Sequence, residues 1–172
     1  MSTSLPLCLQ TTSPLDRPLF PSQTPPVNHS TFQLGDEPLT LHRIAEVARG
    51  YRSVAPCAAS VAAMDRSRAV VDAIVEGGAE APAVYGVNTG FGALAEVRIS
   101  PSQIAQLQQN LVRSHCVGVG EPLDEDCTRA MMLLRAAVLS RGQSGARSEV
   151  CQFLCKMLDH RIHPLIPRRG SV

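Results

Sequence analysis

The segment from Asp124 to Gly142 constrains this chain more than any other. Asp124 can cap a helix that passes through Met131, Leu134 and Val138 and stops near Gly142, and that helix is apolar on nearly every side. A helix of this kind is stable only when other helices enclose it. The chain is therefore expected to be mainly α.

Four further helices are predicted. Phe32 and Leu34 alternate with polar residues before Gly35, which suits a short strand, and Thr40 then caps a helix bearing Leu41, Ile44 and Val47 as far as Gly50. A second helix runs from about Pro56 to Glu76, with Val61, Met64, Val71, Ile74 and Val75 at helical spacing and Gly77-Gly78 ending it. Ser100-Pro101-Ser102-Gln103 reads as a capping box with proline at the first helical position, leading into Ile104, Leu107 and Leu111. The last helix is expected from about Ser148 to His160, with Val150, Phe153, Leu154, Met157 and Leu158 inward, before His163-Pro164 imposes an extended exit. Four such neighbours enclose the 124–142 helix incompletely. The sequence also closes in a loop, Pro167 to Val172, so the chain is expected to be truncated or to assemble with other chains.

Residues 1–30 hold Pro6, Pro14, Pro18, Pro21, Pro25 and Pro26 among Ser and Thr, and are expected to form a disordered proline-rich tail ahead of a folded unit at 31–172. Hydrophobic residues are 44% of the chain and charged ones 18%, enough apolar material for that unit to bury a core. A formal charge of +1, no Trp and 3% aromatic residues leave neither a basic stripe nor stacking platforms, so nucleic acid is not an expected partner. No stretch approaches the roughly 20 apolar residues of a membrane span, and residues 1–10 lack a positively charged leader, so a cytoplasmic protein with no membrane partner is expected. The six cysteines are irregularly spaced and are read as reduced thiols, with Cys151 and Cys155 neighbours on one helix. His160 and His163 match no zinc pattern, and no metal is expected. Gly142 to Gly145 lack the Gly-Lys-Ser ending of a phosphate loop.

Chemistry is most concentrated in Val84-Tyr85-Gly86-Val87-Asn88-Thr89-Gly90-Phe91-Gly92. A phenol among glycines can be reached by a ligand, and such a loop can close over it. Tyrosine has a reference pKa of about 10, so it serves as a base near neutrality only where positive charge or helix ends stabilise its phenolate. Packed tyrosines in glycine-rich turns are also common in purely structural roles, and spacing alone leaves both readings open. His115, after Ser114 near a helix end, could hold or bond a ligand, but on composition alone a satisfied histidine at a helix end is the favoured reading, since a lone His has no partner visible in the sequence.

The run Tyr85 to Gly92 resembles the tyrosine loop of the histidine and phenylalanine ammonia-lyase superfamily, which includes aromatic aminomutases. Asn110-Leu111-Val112-Arg113-Ser114-His115, Gly118-Val119-Gly120-Glu121-Pro122-Leu123 and Arg129 to Ala136 resemble successive blocks of that family, in order. His163-Pro164 with Pro167, Gly170 and Ser171 resembles the stretch just before its cofactor motif. The resemblance implies the amino-terminal helical part of a homotetrameric ammonia-lyase, incomplete without a downstream helical bundle. It also implies methylidene-imidazolone, which the family forms autocatalytically from Ala-Ser-Gly; the sequence stops before that tripeptide, so no residue of this chain is expected to form or bind the group.

By the same resemblance, Tyr85 is the catalytic acid-base group, and Asn88, Gly92 and His115 are substrate-binding. His115 falls at a selectivity position where histidine-specific and some tyrosine-specific members carry His. A site built to hydrogen-bond a polar ring rejects analogues that lack the bonding group. The expected parent activity is conversion of L-histidine to urocanate and ammonia, with the chain alone inactive. Arg113, where many histidine-specific members have an aliphatic residue, keeps a tyrosine ammonia-lyase or aromatic 2,3-aminomutase open. A non-catalytic truncated product, or a split subunit that assembles with a complementary C-terminal piece, is the alternative of another class.

Overall fold

The structure is a computed structural model and describes residues 30–170 apart from 79, 93–96 and 98. The predicted disordered tail lies, except for Ser30, outside the described residues. The described elements are, in order, strand β1 (Phe32–Leu34), helix α1 (Leu41–Ala48), β2 (Val54–Pro56), α2 (Ala58–Glu76), α3 (Pro101–His115), β3 (Val119–Pro122), α4 (Glu125–Leu139), α5 (Ser148–Asp159) and β4 (Pro167–Arg169). Five helices and short strands agree with the mainly α expectation. None of the described helices is long and apolar enough to cross a membrane.

The core lies where α1, α4 and α5 meet the β1–β2 pair. Phe32, Leu34, Val47, Val54, Met64, Met132, Leu133, Ala136, Cys151, Cys155 and Leu158 form one buried cluster. β1 and β2 run parallel with Phe32 opposite Val54, an arrangement that requires a crossover, and α1 supplies it. The Asp159 carboxylate at the end of α5 accepts from Val54 N–H at 3.1 Å and so seats β2 on that helix. Burial, above all, pushes the Asp159 carboxyl above its ordinary range. Thr40 caps α1 as predicted, its hydroxyl accepting from Arg43 N–H at 3.3 Å.

Arg129 of α4 closes the other end of α1. Its guanidinium donates to the carbonyl of Ala48 and, at 3.1 Å, to that of Val47, groups a helix C-terminus otherwise leaves unpaired. Arg129 is 2% exposed. Arg52 is also buried; it donates to both Glu37 carboxylate oxygens at 2.9 and 3.0 Å and lies over the Phe32 ring at 5.3 Å.

Several expectations are corrected. On α5 the predicted inward residues Leu158, Leu154 and Met157 lie in or against the core together with Ser148, Cys151 and Cys155, whereas Val150 and Phe153 are exposed. α4, expected to be apolar nearly all round, buries Thr128, Arg129, Met132, Leu133, Ala136 and Leu139 and leaves the apolar Met131, Leu134 and Val138 exposed. On α2 only Met64 of the predicted apolar face is fully buried, because the helix rests on the loop after α4. Gly142 there has φ +66°, and an added Cβ would lie 2.6 Å from the Ala63 carbonyl carbon. The α2 N-cap is Cys57, whose thiol accepts from Ser60 N–H at 3.4 Å. The Ser60 hydroxyl and that N–H hold the thiol below its ordinary pKa.

Two predicted caps have other partners. Ser100 Oγ donates to the Gln103 side-chain oxygen at 3.0 Å instead of closing a capping box on the backbone. Asp124 makes no cap bond and instead accepts from Arg168 at 3.1 Å. Arg168 stands on β4, which pairs antiparallel with β3 and turns the expected extended exit and glycine break into a small sheet.

Candidate functional site

The 81–99 segment is shaped by one amide. Asn88 is 9% exposed; its Oδ1 accepts from Val84 N–H at 2.8 Å and its Nδ2 donates to the Pro82 carbonyl at 2.9 Å. Backbone bonds from Val87 and Asn88 N–H to the Val84 carbonyl tighten the same turn. On its far side the loop is tied by Ile99 N–H to the Asn88 carbonyl at 3.1 Å and by Gly90 N–H to Val97 O at 3.0 Å. Gly86 (φ +76°) and Gly92 (φ +57°) hold left-handed conformations at its two bends. Among the described residues nothing lies within 4 Å of an added Cβ at Gly92.

Tyr85 sits at the first bend and is 62% exposed. Its ring meets Phe91 edge-on, centroids 5.9 Å apart at 79°, a contact that fixes the ring plane without covering the hydroxyl. Among the described residues no hydrogen bond or ion pair reaches that hydroxyl. The phenol is thus presented outward.

α3 begins directly after this loop, and its 15 residues carry the chain roughly 22 Å to His115. No described side chain of α3 is fully buried. His115 Nδ1 lies 2.8 Å from the Leu111 carbonyl oxygen and 3.1 Å from Ser114 Oγ. Ser114 Oγ also donates to Leu111 O at 2.9 Å. Val117 N–H then bonds back to the His115 carbonyl at 2.9 Å, a tight turn that ends the helix at this residue. None of the described hydrogen bonds, ion pairs or ring contacts joins the Tyr85 loop to His115. Arg113 lines a separate shallow groove with Gln108, Gln109 and Val112.

Among the described residues no group of three or more His, Cys, Asp or Glu is placed to hold a metal ion. Cys151 and Cys155 are buried in the core, the Cys151 thiol donating to Ala136 O at 3.4 Å. The sequence did not reveal Ser114 as a neighbour of the His115 ring, nor the loop-closing role of Asn88. The one available signal was the Asn-Thr-Gly run, since Asn side chains habitually hydrogen-bond their own turn.

Residues 39–172 match the aromatic amino acid lyase family. This chain belongs to that family. The histidine ammonia-lyase of Sorangium cellulosum (strain So ce56) is 52% identical over 135 residues, which are 78% of this chain and 26% of that protein. That of Koribacter versatilis (strain Ellin345) is 48% identical over 134 residues, 78% of this chain and 25% of the relative. Two solved structures are similar in fold. Tyrosine aminomutase from Streptomyces globisporus aligns with a TM-score of 0.74 at 34% identity over 83% of this chain and 26% of its own. Histidine ammonia-lyase from Trypanosoma cruzi aligns at 0.68 and 37% over 77% of this chain and 25% of its own. The chain thus spans about a quarter of the length of the relatives it matches. The family is one of methylidene-imidazolone-dependent ammonia-lyases.

Proposed function

We propose that this chain is the amino-terminal part of a histidine ammonia-lyase that eliminates ammonia from L-histidine to give urocanate. The observation carrying this reading is its 52% identity to a histidine ammonia-lyase over a span that includes the exposed Tyr85 loop. In this reading Tyr85 takes the β-proton, which its outward hydroxyl suits, and the open backbone at Gly92 lets substrate come close. His115 orients the substrate ring. Asn88 serves substrate binding through the shape it gives the loop, because both ends of its amide are already bonded there.

Methylidene-imidazolone, when present, draws electrons from the substrate and makes the β-proton removable. The tyrosine alone is worth the 100- to 10,000-fold typical of general acid–base groups, so the isolated chain is proposed to be inactive.

The exposed apolar row Met131, Leu134 and Val138, which borders a groove of about 500 Å³ with Leu154 and Ile166, supports the expectation of further helices around α4. These come from a homotetramer or a complementary C-terminal piece. The free thiols of Cys57, Cys116, Cys127, Cys151 and Cys155 support a cytoplasmic setting. A tyrosine ammonia-lyase or aromatic aminomutase is the second reading, favoured by Arg113 and by the likeness to tyrosine aminomutase.

The test is to express the gene product through its natural downstream sequence and follow the unsaturated acid formed from histidine, tyrosine and phenylalanine. Urocanate is expected, with its rate reduced about 100- to 10,000-fold by Tyr85→Phe. Coumarate or a β-amino acid would transfer the assignment to the second reading. Lyase activity in the 172-residue chain itself would overturn the account of its inactivity.

A further inference from the structure

We propose that Ser114 is a positioning residue that, with the Leu111 carbonyl, fixes His115 in one tautomer and so sets which substrate rings it accepts; this rests on the role given to His115 above. A carbonyl oxygen can only accept. His115 Nδ1, 2.8 Å from Leu111 O, must therefore carry the ring hydrogen. The Ser114 hydroxyl is committed to the same carbonyl at 2.9 Å, which turns its oxygen lone pairs toward Nδ1 at 3.1 Å. The Nδ1–H is thus held between two acceptors one and four residues back on α3.

A neutral imidazole has one donor and one acceptor nitrogen. With the hydrogen held on Nδ1, Nε2 presents a lone pair outward from the exposed end of the helix. The turn that follows, from Val117 N–H to the His115 carbonyl, prevents a further helical turn from covering it. His115 built this way asks its ligand for a hydrogen-bond donor. An imidazole N–H or a phenol O–H supplies one, and a phenyl ring does not. Left to itself in water, imidazole favours the opposite, Nε2–H tautomer, so the anchor reverses the ring's own preference.

The experiment has two arms. In the 172-residue chain labelled with ¹⁵N-histidine, the ring nitrogen shifts of His115, assigned by their loss in His115→Gln, report which nitrogen is protonated. In the neutral ring the Nδ1–H form is expected to predominate. Ser114→Ala should move the tautomer ratio about 2- to 10-fold toward Nε2–H, the range one modest hydrogen bond commands. Ser114→Thr, which keeps a hydroxyl able to reach the same carbonyl, should restore it. A predominant Nε2–H form in the unaltered chain, or a ratio that Ser114→Ala leaves unchanged, would overturn the proposal.

In the full-length protein, Ser114→Ala should raise KM for L-histidine about 2- to 10-fold with kcat largely kept. Inhibition by L-phenylalanine should be unchanged, because its ring makes no use of the lone pair. Equal weakening of both ligands would indicate general disruption and refute the recognition role. Failure of the lyase reading would show separately, as no urocanate from either protein, while the nitrogen shifts still decide the anchoring.

Discussion

The α1–α4–α5 centre and the Tyr85 loop with α3 are held by different means. In the first, fully buried side chains interlock across elements distant in sequence, down to an arginine spent on closing another helix. In the second, short-range hydrogen bonds from Asn88 and Ser114 shape each piece locally, and the chemical groups stay exposed. Of that second region's described side chains only Ala81, Asn88 and Thr89 are buried, and none of them belongs to the central cluster. The proposed roles of Tyr85 and His115 fit the looser part, because a buried phenol or imidazole would meet no substrate.

The comparison can be broken by substitution. Leu133 and Leu134 are adjacent, yet the first is 0% and the second 44% exposed. Leu133→Ala should cost about 2 to 5 kcal/mol in urea unfolding of this chain, the largest effect expected. Gly142→Ala is next, at about 2 to 4 kcal/mol, since left-handed strain adds to a collision with the Ala63 backbone. The matching change in the loop, Gly92→Ala, meets open space and should cost only the strain, about 1 to 2 kcal/mol. Equal losses at the two glycines would mean that the loop is packed as tightly as the centre.

A charge test follows. The Gln33 N–H, and then Arg52, hold the Glu37 carboxyl below its ordinary range against the opposing effect of burial. A depressed carboxylate stabilises the fold above its unfolded pKa and loses that contribution as pH falls through the lower folded value. Thermal melts from pH 6 toward pH 3 should therefore decline, and Glu37→Gln should flatten part of that slope. Smallest of all, Leu134→Ala and Tyr85→Phe should each shift unfolding by less than about 0.5 kcal/mol. A larger loss for Tyr85→Phe would place its hydroxyl in a structural role.

The sequence made the helices legible because their signals are local: Thr40 before Leu41, glycines at Gly77-Gly78 and Gly142, proline at the head of α3. It misled about Val150 and Phe153 of α5, which face outward, and left the facing of α4 undecided. α4 is apolar on two sides, and periodicity does not say which side α1 and α5 occupy. β2, β3 and β4 went unseen because their pairing depends on contacts far along the chain, as with Val119 and Arg169. Ser100 and Asp124 carry cap chemistry whose side chains found nearer or stronger partners. Buried Arg52 and Arg129 run against the usual exposure of arginine, so composition gave no sign of them. At the site, Tyr85 and His115 stood out by motif, whereas Ser114 emerged only when its hydroxyl was seen beside the ring.

Arg129 also sets a clock. The carbonyls it closes lie 81 and 82 residues earlier, and α1, with 8 residues, is far below the 12 to 15 at which a helix becomes even marginal alone. During synthesis at 5 to 20 residues per second, α1 would wait about 4 to 16 seconds for its closing arginine to be made. Through that interval Phe32, Leu34 and Val47 have no α4 to cover them. That interval leaves half of the core's apolar surface without its partner until the second half has been made.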